Sequence, residues 1–253
     1  MISQSQLDYF KEVGIWYTGV PAFDSSNHES CMRAFLAREE VYKHDFLQTK
    51  LNKLFEGYSY IGQDDSLNQG SYDNLYTYVL SDFFDRDRHP KEFQPIFREQ
   101  ETLVKAITDL EKSFLKVLDA DLFAFYEEHV VHSLSANFYP PNDSNQVRLT
   151  PHPDGSLLTV FPFGMDEEFQ FETPDGKWQT VEKTNEVVCF SGYLMERMTD
   201  IKALNHKVEK KGPQHERFSF AYFAIPHPDH HFQMKGEKVS SEDYFARYLS
   251  LFE

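Results

Sequence analysis

The sequence has few cysteines and a deficit of cations. Cys31 and Cys189 are the only cysteines, and neither belongs to a pair with metal-ligand spacing, which favours two free thiols in a reducing compartment. Lys and Arg number 25 against 41 Asp and Glu, which gives a net charge of −16. Because such a surface repels phosphate backbones and anionic lipids, we expect neither a nucleic-acid partner nor a membrane partner.

Long apolar runs and glycine-rich phosphate loops are also missing. The sequence contains no run of the roughly 18 apolar residues that a membrane-spanning helix needs. Its start, Met1–Leu7, lacks the basic and apolar regions of a signal peptide, which predicts a cytoplasmic protein. No segment resembles a Walker motif or a dinucleotide fingerprint, so the nucleotide-binding folds that depend on these motifs are excluded.

The pattern of apolar residues divides the chain into a helical first half and a strand-rich second half. Residues 28–57 and 94–118 carry apolar positions at helical spacing, and a last helix is predicted over 241–251. From residue 132 to 226, short apolar runs alternate with Pro, Gly and Asp turns, which is typical of β structure. The composition of residues 56–72 predicts a loop, which either folds over the mouth of a site or is a solvated connection. The acidic run at 166–168 predicts a solvated turn.

Two histidines and one aspartate predict a metal site. His152 and Asp154 stand two residues apart, so on an extended chain their side chains share a face, and His206 must come from another strand. Two imidazoles and one carboxylate can cap one face of Fe(II) and leave three positions open. Alone, the pattern also fits a histidine beside a proline turn, because the chain has 11 His and a second His-x-Asp at His227.

A second group of polar residues predicts an anion site. Arg217 and Ser219 alternate onto one face of the run 216–223, whose aromatic residues on both faces indicate a buried strand. A buried arginine needs an anionic partner, and a dicarboxylate that chelates iron at its other end would supply one. Asn137 and Tyr139 share a face of another short strand, from which Tyr139 would add a hydroxyl group.

Five pieces of sequence resemble, in order, the isopenicillin N synthase-like family of Fe(II)/2-oxoglutarate-dependent oxygenases. The resemblance covers roughly residues 130–226, and the pieces are Asn137-x-Tyr139-Pro140-Pro141, His152-x-Asp154-Gly155-x-Leu157-Leu158-Thr159, Asp175-Gly176-Lys177-Trp178, Asn205-His206-Lys207-Val208 and Glu216-Arg217-Phe218-Ser219. It implies that Fe(II) is held by His152, Asp154 and His206, and that 2-oxoglutarate, as cosubstrate with O2, is bound by Arg217, Ser219, Tyr139 and Asn137.

The same resemblance implies an activity and leaves two alternatives. The activity is oxidation of a C–H bond of a small molecule, by hydroxylation, desaturation or cyclisation, with release of succinate and CO2. One alternative is an Fe(II) oxidase of the same family that needs no 2-oxoglutarate. The other is a non-enzymatic protein that keeps the fold as a ligand-binding cup.

The resemblance also implies an α+β fold built on a double-stranded β-helix, or jelly roll. The jelly-roll core is expected at residues 131–226, under a mostly helical layer at 1–130 and beside a C-terminal loop and helix at 227–253. No linker or internal repeat divides the chain, so we expect a single domain over 1–253. The oligomeric state stays open.

Arg148 is the residue that we expect to contact substrate. On an extended strand it shares a face with Thr150 and His152, which is the face that meets the metal. A guanidinium there needs an anion, so the substrate is expected to be anionic or amino-acid-like. The alternative is an ion pair between Arg148 and one of the chain's own acidic residues.

Overall fold

Residues 2–51, 54–61, 73–141, 147–209 and 215–252 are described by the structure, a computed structural model. The loop predicted over 56–72 lies largely outside these ranges, and its described start forms a short strand instead. Within the described ranges, the strands in chain order are β1 (Ile15–Pro21), β2 (Gly57–Ser59), β3 (Tyr76–Ser81), β4 (Val130–Tyr139), β5 (Leu149–His152), β6 (Leu158–Phe161), β7 (Phe169–Glu172), β8 (Trp178–Thr180), β9 (Glu186–Ser191), β10 (His206–Val208), β11 (Arg217–Pro226), β12 (His231–Met234) and β13 (Glu237–Ser240).

Two antiparallel sheets carry the functional residues. The larger sheet has the order β1-β9-β6-β11-β4-β3-β2, and the smaller has the order β5-β10-β7-β8. In the larger sheet β11 pairs with β4 over ten positions, from Arg217 opposite Tyr139 to Pro226 opposite Val130. Side chains from both sheets line one cavity between them. The predicted jelly-roll core with helices at its flanks is therefore confirmed.

The helices lie mainly in the first half of the chain. They are α1 (Gln4–Val13), α2 (Ser26–Leu36), α3 (Glu40–Lys43), α4 (Gln48–Leu51), α5 (Gln94–Leu118), α6 (Ala120–His129), α7 (Tyr193–Met198) and α8 (Ser241–Leu249). The first half also supplies β1, β2 and β3 to the larger sheet, so the sheet extends beyond the core predicted at 131–226. The single-domain organisation stays a prediction.

The long helix α5 has the bounds that its periodicity predicts. Its buried face includes Ile96, Phe97, Leu103, Ile107 and Phe114, which recur at helical spacing. Phe114 stacks on Trp16 of β1 with ring centroids 4.6 Å apart, and it meets Phe10 of α1 edge to face. The helical layer is thus fixed on the sheet by burial of a continuous apolar face.

One helix prediction is wrong, because the pattern at 28–57 does not form one long helix. The backbone is extended at Glu39 and Leu47, which separates α2, α3 and α4. The break lets Phe46 and Tyr58 both pack against Phe35, at centroid distances of 6.3 and 5.2 Å. Tertiary packing of these rings therefore outweighs the local preference for a continuous helix.

Among the described residues, no helix is both long and apolar enough to cross a membrane.

Candidate metal and cosubstrate site

The predicted metal ligands come together at the edge of the smaller sheet. His152 ends β5 and is paired across the strands with His206 of β10. Asp154 Oδ1 lies 3.7 Å from Nε2 of each histidine, and one ligand atom from each residue falls within 4.8 Å of the others. The sequence argument places His152 and Asp154 on one face of a single strand. In the structure β5 ends at His152, and Asp154 reaches the site from the following loop.

Neighbouring groups orient all three ligands. His152 Nδ1 lies 2.7 Å from the Thr150 carbonyl and His206 Nδ1 lies 3.1 Å from the Leu204 carbonyl. Donation to these carbonyls places the proton on Nδ1 and leaves each Nε2 lone pair for a metal. Thr159 donates to Asp154 Oδ2 at 2.7 Å, which leaves Oδ1 on the side of the two Nε2 atoms.

The imidazole ring of His206 packs against two aromatic rings. Phe169 stacks on the imidazole and Phe190 packs against it at an angle, both with centroids 5.0 Å away. Burial lowers the pKa of His206 to about 4, against the opposing effect of the nearby Asp154 carboxylate. The imidazole is therefore neutral at physiological pH, which is the form that coordinates a metal.

Helix α8 supports the loop that carries Asp154. Tyr244 donates its hydroxyl to the Gly155 carbonyl at 2.7 Å, and Tyr248 donates to the Pro153 carbonyl at 2.9 Å. A Cβ atom at Gly155 would stand only 3.0 Å from the Tyr248 ring, so a glycine there allows this close packing. The sequence pattern predicts the helix but gives no sign that its tyrosines contact the metal loop.

A cavity of about 200 Å³ extends from the triad toward the middle of the sandwich. Its lining includes the three predicted metal ligands and also Asn137, Tyr139 and Ser219. Asn137 Oδ1 accepts hydrogen bonds from Thr77 at 2.9 Å and from Ser135 at 3.0 Å. Tyr139 is 1% exposed, and burial raises the pKa of its hydroxyl to about 12 despite the adjacent Arg217 guanidinium, so the hydroxyl keeps its proton.

Arg217 does not line this cavity itself; it lies against the Tyr139 ring, which does, and lines a separate cavity together with Asp166 and Ser219. Its guanidinium carbon is 5.0 Å from the centroid of the Tyr139 ring, and its Nε donates to Asp166 at 2.7 Å. Among the described residues, Nη1 of Arg217 is buried with no hydrogen-bond partner. A buried guanidinium donor without an acceptor is costly, and a carboxylate entering the cavity would supply the missing acceptor.

The acidic run at 166–168 is not the solvated turn that its charge predicts. Glu168 is 3% exposed, and its Oε2 lies 3.3 Å from Arg148 Nε and 4.0 Å from Arg217 Nε. Asp166 contacts Arg217 as described above. Two of the three acidic residues therefore balance buried arginines.

The structure places Arg148 in the ion pair that the sequence analysis gives as its alternative. Its side chain is buried at 1% exposure, pairs with Glu168, and donates to the carbonyls of Tyr139 and His215. It is absent from the lining of both cavities that reach the triad. Arg148 precedes β5, and its guanidinium already has a carboxylate partner inside the protein, so this geometry does not support a contact with substrate.

A larger cavity, of about 390 Å³, meets the triad from the other side. It shares His152, Asp154, Thr77 and Phe223 with the first cavity.

In the described part of the chain, the triad is the one group of three His, Cys, Asp or Glu residues with metal-ligand spacing. The second His-x-Asp, at His227, is not part of such a group. Cys31 and Cys189 are buried free thiols, as expected.

Comparison with known proteins agrees with this geometry. Residues 130–226 match the model of the 2OG-Fe(II) oxygenase superfamily, and this span contains every predicted site residue. The donor set fits Fe(II), and the match and triad together agree with Fe(II) and 2-oxoglutarate as the predicted cofactors. No curated protein sequence matches the chain.

Solved structures share the fold at low sequence identity. JOX2 in complex with 2OG, Fe and JA is 19% identical, with a TM-score of 0.74, 96% of this chain covered and 80% of that chain. A full-length Neurospora crassa protein in complex with alpha-KG and 5-formyluracil is 18% identical, with a TM-score of 0.72 and coverages of 98% and 89%. A rice dioxygenase for auxin oxidation is 17% identical, with a TM-score of 0.69 and the same two coverages.

Proposed function

We propose that this protein is an Fe(II)/2-oxoglutarate-dependent oxygenase that oxidises a C–H bond of a small molecule. The observation that carries the proposal is a cavity lined by the metal-binding triad and by Tyr139 and Ser219, with Arg217 against the Tyr139 ring and its buried Nη1 without a partner among the described residues. A molecule with a chelating end and a distal carboxylate satisfies the triad and Arg217 at once, and 2-oxoglutarate is such a molecule.

Each residue of the cavity has a role in this proposal. His152, Asp154 and His206 would hold the metal through Nε2, Oδ1 and Nε2, because their other polar atoms are engaged by Thr150, Thr159 and Leu204. When bound, Fe(II) and 2-oxoglutarate together use O2 to supply the oxidising power for C–H cleavage, and succinate and CO2 leave as coproducts.

The distal carboxylate would be held at the inner end of the cavity. Arg217 would donate from Nη1 in a charge-assisted hydrogen bond, while Asp166 fixes the other side of the guanidinium. Tyr139 and Ser219 would donate hydroxyl groups, and Asn137 would contact the bound molecule through its amide. The Phe161, Phe169 and Ala221 side chains in the same lining limit the access of water.

Two further lines of evidence support the proposal. The superfamily match spans the triad and Arg217, and the similar structures include complexes with alpha-KG or 2OG. Those complexes also contain small molecules, 5-formyluracil in one and JA in the other, which favours a small-molecule substrate here. Membership of the narrower isopenicillin N synthase-like group rests on the sequence motifs described above and remains part of the proposal.

Succinate release tests the proposed function directly. The Fe(II)-loaded protein is incubated with 2-oxoglutarate and O2 over a pool of candidate small molecules, and succinate is measured with His152→Ala as the blank. Release above that blank is the expected result. Iron-dependent O2 uptake without succinate would instead identify an oxidase that needs no 2-oxoglutarate, and binding without O2 uptake would identify a ligand-binding protein.

A further inference from the structure

The larger cavity beside the triad, which we call the outer chamber, has walls that differ from those of the cosubstrate cavity. Its apolar walls come from four parts of the chain, and they include Phe55 before β2, Val79 of β3, Phe223 and Ile225 of β11, and Phe245, Tyr248 and Leu249 of α8. Ser59, Thr77 and Ser133 add hydroxyl groups, and Gln48 adds an amide. The walls therefore offer aromatic and aliphatic surface with a few neutral hydrogen-bonding groups.

Fixed charge is nearly absent from the described walls of the outer chamber. Asp154 is the one acidic residue among them, its charge is committed to the metal, and no Lys or Arg is present. Arg247, which adjoins Tyr248 along the chain, is paired with Glu237, and Arg148 is paired with Glu168; neither lines the chamber. An anionic group that entered would lose its hydration without gaining an ionic partner, which carries a large free-energy cost.

The position and size of the outer chamber suit a substrate. It shares His152 and Asp154 with the cosubstrate cavity, so a molecule in it would lie beside two of the metal ligands, and Arg217 is not part of its lining. Its volume of about 390 Å³ falls in the range of roughly 300–1,000 Å³ that is typical of small-molecule sites. Tyr248 forms part of its wall and also donates to the Pro153 carbonyl of the metal loop.

We infer that the outer chamber selects an uncharged, ring-bearing small molecule and rejects carboxylates. This inference rests on the proposed function, because it takes the molecule in the chamber as the substrate to be oxidised. It replaces the anionic substrate that the sequence predicts from Arg148. The recognition is mainly burial of an apolar ring against Phe55, Phe223 and Phe245, with hydroxyl groups available to one polar substituent.

A matched pair of probes tests the selectivity. Naphthol and naphthoate have the same ring system and differ in charge at neutral pH, and each is titrated under nitrogen into protein loaded with Fe(II) and 2-oxoglutarate. We expect naphthol to bind at least about tenfold more tightly than naphthoate, because only naphthoate must be desolvated as an ion. Equal affinities, tighter binding of naphthoate, or no binding of naphthol would overturn the inference.

A charge placed in the wall provides the second arm of the test. Leu249 lines the chamber and is 46% exposed, so Leu249→Arg adds a cation without burying it fully. Leu251 is 49% exposed and does not line the chamber, which makes Leu251→Arg the matched control. We expect naphthoate to bind roughly two- to fivefold more tightly to the Leu249→Arg variant and to be unaffected in the control. Equal responses of the two variants would contradict the assigned wall.

The same titrations separate this inference from the proposed function. 2-Oxoglutarate binding is measured alone before any probe is added. If 2-oxoglutarate does not bind but naphthol is still preferred, the proposed function fails and the assignment of the chamber is supported. If 2-oxoglutarate binds and naphthol is not preferred, the inference about the substrate class fails alone.

Discussion

Arg217 and Asp166 form an ion pair in which Nε of the arginine donates at 2.7 Å, while Nη1 of the same guanidinium is buried without a partner among the described residues. Asp166 holds the guanidinium at Nε, while the guanidinium carbon lies 5.0 Å from the centroid of the Tyr139 ring, which lines the cosubstrate cavity. Asp166 thus acts on the cosubstrate site in two opposed ways, since it positions the guanidinium and also partly neutralises its charge.

Two substitutions at Asp166 separate these effects. Asp166→Asn keeps an oxygen that accepts from Nε and removes the charge, so we expect 2-oxoglutarate to bind several-fold more tightly. Asp166→Ala removes the acceptor as well and should bind 2-oxoglutarate more weakly than Asp166→Asn does. Equilibrium binding under nitrogen measures both, and identical affinities for the two variants would show that Asp166 does not position Arg217.

Loss of a metal ligand is expected to abolish iron retention. His152→Ala and Asp154→Ala leave two ligands, which do not hold a labile Fe(II). Iron content after gel filtration should fall to background in both variants, and 2-oxoglutarate-dependent succinate release should disappear with it. His227→Ala, in the second His-x-Asp of the chain, is the control and should retain iron as the parent protein does. Full iron occupancy in either ligand variant would disprove the triad.

Replacement of Arg217 should affect the cosubstrate more than the metal. Arg217→Gln removes the charge-assisted hydrogen bond, whose loss costs about 1.5–3 kcal/mol, so 2-oxoglutarate affinity should fall by roughly 10- to 100-fold. Iron content should be unchanged. An unaltered affinity for 2-oxoglutarate would place the distal carboxylate elsewhere.

The buried carboxyl group of Glu56 is expected to make the free energy of unfolding depend on pH. Burial raises its pKa from an ordinary value of 4.5 to about 7, and burial also lowers the pKa of the adjacent His89 to about 4. The folded state binds the Glu56 proton more tightly than the unfolded state does. The resulting contribution to the free energy of unfolding is fully present below pH 4.5 and is lost as the pH rises to about 7. The loss amounts to no more than about 3 kcal/mol.

Glu56→Gln should remove this dependence. In urea unfolding, the free energy of unfolding of the variant is expected to rise relative to that of the parent protein as the pH goes from about 5 to about 7. The exposed Glu101→Gln substitution serves as the control and should leave the parent pH profile unchanged. Parallel profiles for all three proteins would mean that Glu56 ionises normally.

The buried pair of Glu111 and His132 predicts a large stability effect. His132 Nε2 lies 2.7 Å from Glu111 Oε2, and Tyr126 donates to the same oxygen at 2.6 Å. Burial alone would lower the pKa of His132, but the Glu111 carboxylate raises it above its ordinary value. His132→Ala leaves a buried carboxylate without its cation, so the free energy of unfolding should fall by about 3–5 kcal/mol.

A double substitution provides the comparison for that pair. In Glu111→Leu with His132→Leu, both charged groups are replaced by apolar side chains, and the loss of stability measured by urea unfolding should be smaller than in His132→Ala. If the double variant is less stable than His132→Ala, the interaction between Glu111 and His132 contributes more to the free energy of unfolding than an unpaired buried carboxylate costs.

The sequence predicts those features that depend on local spacing. Helix α5 follows from apolar residues repeated along one face, and the His-x-Asp motif with the later His206 is recognisable because its ligands have a fixed order in the chain. The partners of Arg148 are not predictable in this way. Glu168 becomes buried only when the turn before β7 packs beside Arg148 and Arg217, and nothing in its own charged run distinguishes it from a solvated turn.

Long-range contacts also explain the other differences between expectation and structure. The helical pattern at 28–57 is interrupted because Phe46 and Tyr58 both pack on Phe35, which local propensity does not encode. Strand alternation indicates Asp154 as a metal ligand, but Asp154 reaches the metal site from a loop and not from the strand face that alternation assumes.

The contacts of Tyr244 and Tyr248 with the metal loop bear on the order in which the site can form. The carbonyls of Pro153 and Gly155 receive hydrogen bonds from a helix that lies about ninety residues later in the chain. Until α8 is docked, the loop that carries Asp154 lacks this support. Stable metal uptake is therefore a late event, which follows the docking of α8.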